Sequence, residues 1–144
     1  SLRRLHVIVP PRGEFDPGLK HWCRRIATLA EQTACRVSVY GEERTLRAVE
    51  GAWQAERRSL SADFHKFTPA EGLAGVAART RPDHMAVFVL ARRGMPSYHR
   101  RLEDIPGQLE RYFSARSWML IVPAALGSSS SSADGRNALT LSDR

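Results

Sequence analysis

Two short basic loops hold the side chains best suited to grip an anion: Pro10-Pro11-Arg12-Gly13 and Arg92-Arg93-Gly94-Met95-Pro96-Ser97-Tyr98. A guanidinium meets phosphate or carboxylate oxygens through two parallel N–H donors, and a glycine lets the backbone approach closely. The candidate set for an anion or nucleotide is therefore Pro11, Arg12, Gly13, Arg92, Arg93, Gly94, Ser97 and Tyr98, with Tyr40 from the end of a nearby strand. The same residues also suit exposed loop arginines over a crevice that binds nothing, or over a docking surface. Catalysis has less to stand on. Ser97 lies near His99, but there is no G-x-S-x-G elbow to expose a nucleophile, and Glu103-Asp104 suit a helix start without any acid–base role. No catalytic residue is assigned, and the chain is not expected to be an enzyme.

The elements that must position these loops follow from the apolar pattern. Leu5–Val9 is a nearly continuous apolar run, as in a strand buried on both faces, and Pro10-Pro11 stops it. Asp16 then fits a helix cap with Pro17 at the first helical position. Leu19, Trp22, Cys23, Ile26, Leu29 and Ala30 recur as one helical stripe. Cys35–Tyr40 begins with period-two alternation and ends at Gly41, predicting a strand. Thr45–Arg58 predicts a helix with Leu46, Val49 and Trp53 on one side. Ala62–Phe67 suits a strand near the sheet edge, and Thr68-Pro69-Ala70-Glu71 reads as a capping box for a helix carrying Leu73 and Val76. Ala86–Ala91 is the fourth strand. Asp104 fits the cap of a helix burying Ile105, Leu109, Tyr112 and Phe113, and Trp118–Pro123 is the fifth strand.

Strands alternating with helices imply an α/β fold: an open, mostly parallel five-stranded sheet, order 3-2-1-4-5, with helices on both faces. In that order the first and fourth strands are neighbours at the switch point, where ligands sit in such sheets. Arg12, Arg92 and Arg93 are thus expected to converge there. Residues 1–126 make one domain. Residues 127–144, with their polyserine run, read as a flexible tail, because such a segment cannot bury enough surface to offset its ordering entropy. Within it Ala138-Leu139-Thr140-Leu141 is too short to fold alone.

Composition narrows the function classes. The chain has 144 residues and a net charge of +7 carried almost wholly by arginine. Those arginines are interleaved with acids rather than gathered beside stacking aromatics, so no nucleic acid partner is expected. Cys23 and Cys35 form no metal or disulfide pattern, and the five histidines lack the spacing zinc needs. No apolar run approaches the ~20 residues of a membrane span, and Leu5–Pro11 is too short for a signal sequence. The opening Ser1, without an initiator Met, fits a piece cut from something larger. Trp22 and Trp118 read as core, and Trp53 as core or a partner contact.

The layout of five strands and four helices resembles the universal stress protein domain, whose fold is adenine nucleotide alpha hydrolase-like. Ala91-Arg92-Arg93-Gly94…Ser97-Tyr98, the spaced Leu102…Ile105-Pro106…Leu109…Tyr112-Phe113 and the Leu120-Ile121-Val122-Pro123 ending are similar to one branch of it. That branch is the cytosolic C-terminal domain of bacterial monovalent cation/proton antiporters. The likeness runs over about Arg4–Pro123. It implies a regulatory domain on the cytoplasmic side of the cell membrane. Its partners would be a transmembrane sodium or potassium/proton antiporter domain in the same full-length chain and a second copy in a homodimer.

ATP-binding stress proteins carry an acid at the end of the first strand and a G-x2-G-x9-G-(S/T) pattern after the fourth. Here the strand ends in Val9-Pro10-Pro11, position 97 is Ser, and Gly107 is followed by Gln108. No cofactor is assigned, although a nucleotide ligand stays open. The alternative is a free-standing universal stress protein binding ATP or another adenine nucleotide.

Overall fold

The computed structural model describes residues 1–56, 61–67, 72–123 and 138–143, the last segment as backbone. Its strands are β1 (Arg4–Ile8), β2 (Arg36–Gly41), β3 (Ala62–Lys66), β4 (His84–Val89), β5 (Ser117–Pro123) and β6 (Ala138–Asp143). Its helices are α1 (Leu19–Thr33), α2 (Glu43–Ala55), α3 (Gly72–Arg79) and α4 (Ile105–Tyr112). The sheet order is β3-β2-β1-β4-β5-β6 and every pairing is parallel. The five strands in order 3-2-1-4-5 are those the apolar runs predict.

Alternation along the strands sorts the sheet into two cores. Leu5 and Val7, Val37 and Val39, Met85, Val87 and Val89, and Met119 and Ile121 face one way. There they meet Trp22, Cys23, Ile26 and Ala30 of α1 and Leu46 and Val49 of α2, with Trp53 packed at the margin. Ala86, Phe88, Trp118 and Leu120 face the other way, against Leu73, Val76 and Ala77 of α3, Leu109 of α4, and Phe113. The stripe of α1 buries as its spacing requires, and Cys23 and Cys35 are both buried and reduced.

Three details depart from the sequence reading. Asp16 does not cap α1: Gly18 occupies that position without any side-chain cap, and the Asp16 carboxylate turns to Ser97. Residues 138–143, read as tail, pair in parallel along β5 from Trp118↔Ala138 to Pro123↔Asp143. Too short to be stable alone, this segment gains its hydrogen bonds from the edge β5 would otherwise leave open. Arg100–Asp104 forms a 3-10 turn leading into α4. The Thr68–Glu71 capping box and most of the 127–144 stretch lie outside the described residues.

Candidate functional site

Because β1 and β4 are paired, from Arg4↔His84 to Ile8↔Phe88, the loops that follow them lie side by side. Each begins with a turn. Gly13 N–H donates to the Pro10 carbonyl at 3.1 Å, and Arg12, third in that turn, has φ 67. This is a type II turn with proline second and a left-handed third residue, a position glycine normally fills. Arg12 there costs roughly 1 kcal/mol. In the second loop Met95 N–H donates to the Arg92 carbonyl at 3.0 Å, and Gly94 takes the left-handed place with φ 89.

The two loops are tied together across the sheet. Arg12 Nε donates to the Pro96 carbonyl at 3.2 Å, and its guanidinium lies 5.3 Å from the centre of the exposed Phe15 ring. Asp16 accepts the Ser97 N–H at 2.9 Å through one oxygen and the Ser97 hydroxyl through the other. Ser97 is buried by this clasp. Beside it, Glu14 accepts from the Thr45 hydroxyl at 2.8 Å, drawing the start of α2 to the same loop.

The arginines each meet a protein acceptor of their own. Arg92 Nε donates to the Pro123 carbonyl at 3.0 Å, at the end of β5. Arg93 pairs with Glu103 at 2.6 Å, and this contact holds the Glu103 carboxyl below its ordinary range. Arg12, Arg92 and Arg93 therefore reach three different partners: Pro96, Pro123 and Glu103.

Next to these loops, at the carboxyl ends of β1 and β4, is a crevice of 320 Å³. Its walls are carbon: Ile8, Pro10, Pro11, Leu73, Phe88, Leu90, Leu102 and Ile105, with Glu42, His99, Arg101 and Gln108 as its polar residues. Of the nine candidate residues, Pro11 alone lines it. A smaller hollow of 260 Å³ shares the Leu90 and Leu102 walls and contains Arg93 and Tyr98. Gly13 packs closely on the end of the first strand, since a Cβ there would come within 3.2 Å of Val9 Cγ1.

Tyr40 is not with the other candidates. Its side chain stays on the sheet face, where its hydroxyl lies 2.9 Å from His6 Nδ1. His6 Nε2 is in turn 2.9 Å from His84 Nδ1, so one imidazole donates and the other accepts. The Tyr40 ring stacks on His65. Arg4 donates to the Ser38 hydroxyl at 2.7 Å and reaches Asp63 at 3.4 Å.

His6, only 3% exposed, is kept neutral. Burial, then the neighbouring His84, Arg4 and Arg79, lower its pKa from 6.5 to about 4. Burial raises the Tyr40 pKa against the opposing pull of Arg79.

This polar cluster was missed by the sequence reading. The signal available was a repeat of polar residues two apart in three strands: Arg4 and His6, Ser38 and Tyr40, Asp63 and His65. Register then aligns them, His6↔Ser38↔Asp63 in one row and Tyr40↔His65 in the next. Among the described residues no group of three or more His, Cys, Asp or Glu side chains is placed to hold a metal ion, and no helix is long and apolar enough to cross a membrane. Comparison with protein-family models, curated proteins and solved structures found no match to this chain.

Proposed function

We propose that this chain is a universal stress protein-like regulatory domain of a monovalent cation/proton antiporter, with the carbon-walled crevice as its control point. One observation carries the choice of a docking or sensing role over ATP binding. The basic loops beside the crevice are closed on protein acceptors, Arg12 on Pro96, Arg92 on Pro123 and Arg93 on Glu103. The end of β1 offers prolines rather than an acid. A triphosphate would have to break these contacts, whereas an apolar ligand or a segment of a partner fills the crevice without touching them. Whatever occupies it would bias transport only through different affinities for the transporter's alternative conformations.

The test uses the full-length polypeptide containing this domain, in everted membrane vesicles, with cation-driven proton movement as the readout. Leu102→Trp, which fills the crevice from its partly exposed wall, is expected to shift the cation concentration giving half-maximal transport while leaving the amount of protein in the membrane unchanged. Unaltered transport in this variant and after removal of the whole domain would overturn the proposal. Calorimetry with ATP, AMP and cyclic dinucleotides separates the alternative: heat from ATP that disappears in Leu102→Trp would favour a nucleotide-binding stress protein.

A further inference from the structure

Away from that crevice, the polar cluster on β1–β3 opens to solvent through a cleft of 540 Å³ lined by Tyr40, Phe64, His65, Lys66 and Arg79. Its floor is a pair of stacked rings, Tyr40 and His65, with centroids 5.2 Å apart and planes inclined by 24°. Arg79, the last residue of α3, brings its guanidinium carbon to 5.9 Å from the centre of the Tyr40 ring. Lys66, next along β3 from His65, has Nζ 3.5 Å from Glu43 at the start of α2.

The floor is held in place from beneath. A buried imidazole in a central strand costs desolvation that a valine there would not. Here it fixes the Tyr40 hydroxyl through His6, and His6 through His84. A polar chain satisfied at each link specifies one arrangement of its members, so the ring over which Arg79 sits is preorganised. Guanidinium, ammonium and imidazole then surround one opening over the Tyr40 ring, contributed by β3 and α3. Three donor groups of different reach suit a tetrahedral oxyanion better than a carboxylate, which has two oxygens in one plane. The exposed His65 ring, backed by the buried Tyr40 ring, offers a platform for whatever the phosphoryl group is esterified to.

We propose that this cleft is an anion site that takes a phosphate monoester, gripped by Arg79, Lys66 and His65 above the Tyr40 ring. It is separate from the crevice and does not depend on the antiporter reading.

The experiment follows the His65 imidazole and Tyr40 ring signals by NMR while the folded protein is titrated with inorganic phosphate and with phenyl phosphate. Both are expected to shift these signals saturably, and phenyl phosphate at the lower concentration. Arg79→Gln, a change at an exposed helix end, is expected to weaken binding about tenfold, while Arg24→Gln, exposed on α1 across the sheet, leaves it unchanged. Sedimentation with vesicles of phosphatidylcholine, with and without phosphatidic acid, distinguishes a lipid-borne phosphate from a free one. Pelleting that needs phosphatidic acid and fails in Arg79→Gln supports the lipid-borne source. The site is overturned if neither form of phosphate acts. Equal shifts with chloride, or equal weakening by Arg79→Gln and Arg24→Gln, also overturn it.

Discussion

One face of this sheet is divided into two unlike halves. Over β4 and β5, α3 and α4 lie on Ala86, Phe88, Trp118 and Leu120, and Phe88 meets Phe113 edge to face with ring centroids 5.4 Å apart. Over β1, β2 and β3 the same face carries His6, Ser38, Tyr40, Asp63 and His65, joined by hydrogen bonds and ring contacts. The backbone is the same parallel ladder throughout. What changes is the cover: where helices bring apolar side chains, the strand residues are apolar, and where α3 brings Arg79 toward Tyr40, they are polar. One half is stabilised mainly by area removed from water and the other by satisfied polar groups, so the two should fail under different conditions.

The covered half should give the largest loss. Phe113 is fully buried and locks α4 onto Phe88. Phe113→Ala removes most of a ring and leaves a cavity whose lining relaxes only in part, a loss of about 3–5 kcal/mol. Urea unfolding should record it as a lower midpoint, and the loss should be nearly the same at every pH where the protein is folded. A loss that varies strongly with pH would show that the two halves are not energetically separate.

Acid acts on the polar half. Its His6 has a folded pKa of about 4 against an ordinary 6.5, so between those values the unfolded chain binds the extra proton and stability rises with pH. The contribution is present in full above pH 6.5, is lost progressively as pH falls, and is gone near pH 4. The whole shift corresponds to roughly 3 kcal/mol. Water near the partly exposed neighbours screens some of that, which leaves about 2 kcal/mol. Urea midpoints measured over this range should fall in the wild type and flatten in His6→Gln. An equally steep fall in the variant would assign the acid sensitivity to other groups.

The contrast between the halves also explains what could be read from the sequence. Apolar runs and the α1 stripe are local patterns, so the five strands, their order and the covered half were legible. The interactions that set the site connect residues far apart in the chain. Asp16 fits a helix cap by its neighbours, yet its partner is Ser97, 81 positions away. His6 sits inside Leu5–Val9, where the flanking apolar residues mask it, and Tyr40 joins the anion candidates only by lying at the end of a strand. Tyr40 and His6 are 34 positions apart, and only parallel register places them in contact. Likewise β6 depends on the free edge of β5, which its own few residues cannot announce.

The smallest effect sharpens the comparison most. Tyr40→Phe keeps the ring, and with it the stacking on His65, but removes the hydroxyl that His6 Nδ1 meets at 2.9 Å. A single hydrogen bond in such a setting contributes about 1 kcal/mol net, so chemical unfolding at neutral pH should show a loss of that size. Replacing His6 by leucine as well removes both partners, and no imidazole is then left with an unmet nitrogen toward Tyr40. The hydroxyl deletion should therefore cost less than half as much in the His6→Leu background as in the wild type, because residues of one network do not contribute independently. Paired with Phe113→Ala instead, Tyr40→Phe should add without coupling, since the two side chains belong to different halves of the face. Coupling to Phe113 as strong as that to His6 would mean that the face unfolds as one unit, and that the division between its halves is chemical but not energetic.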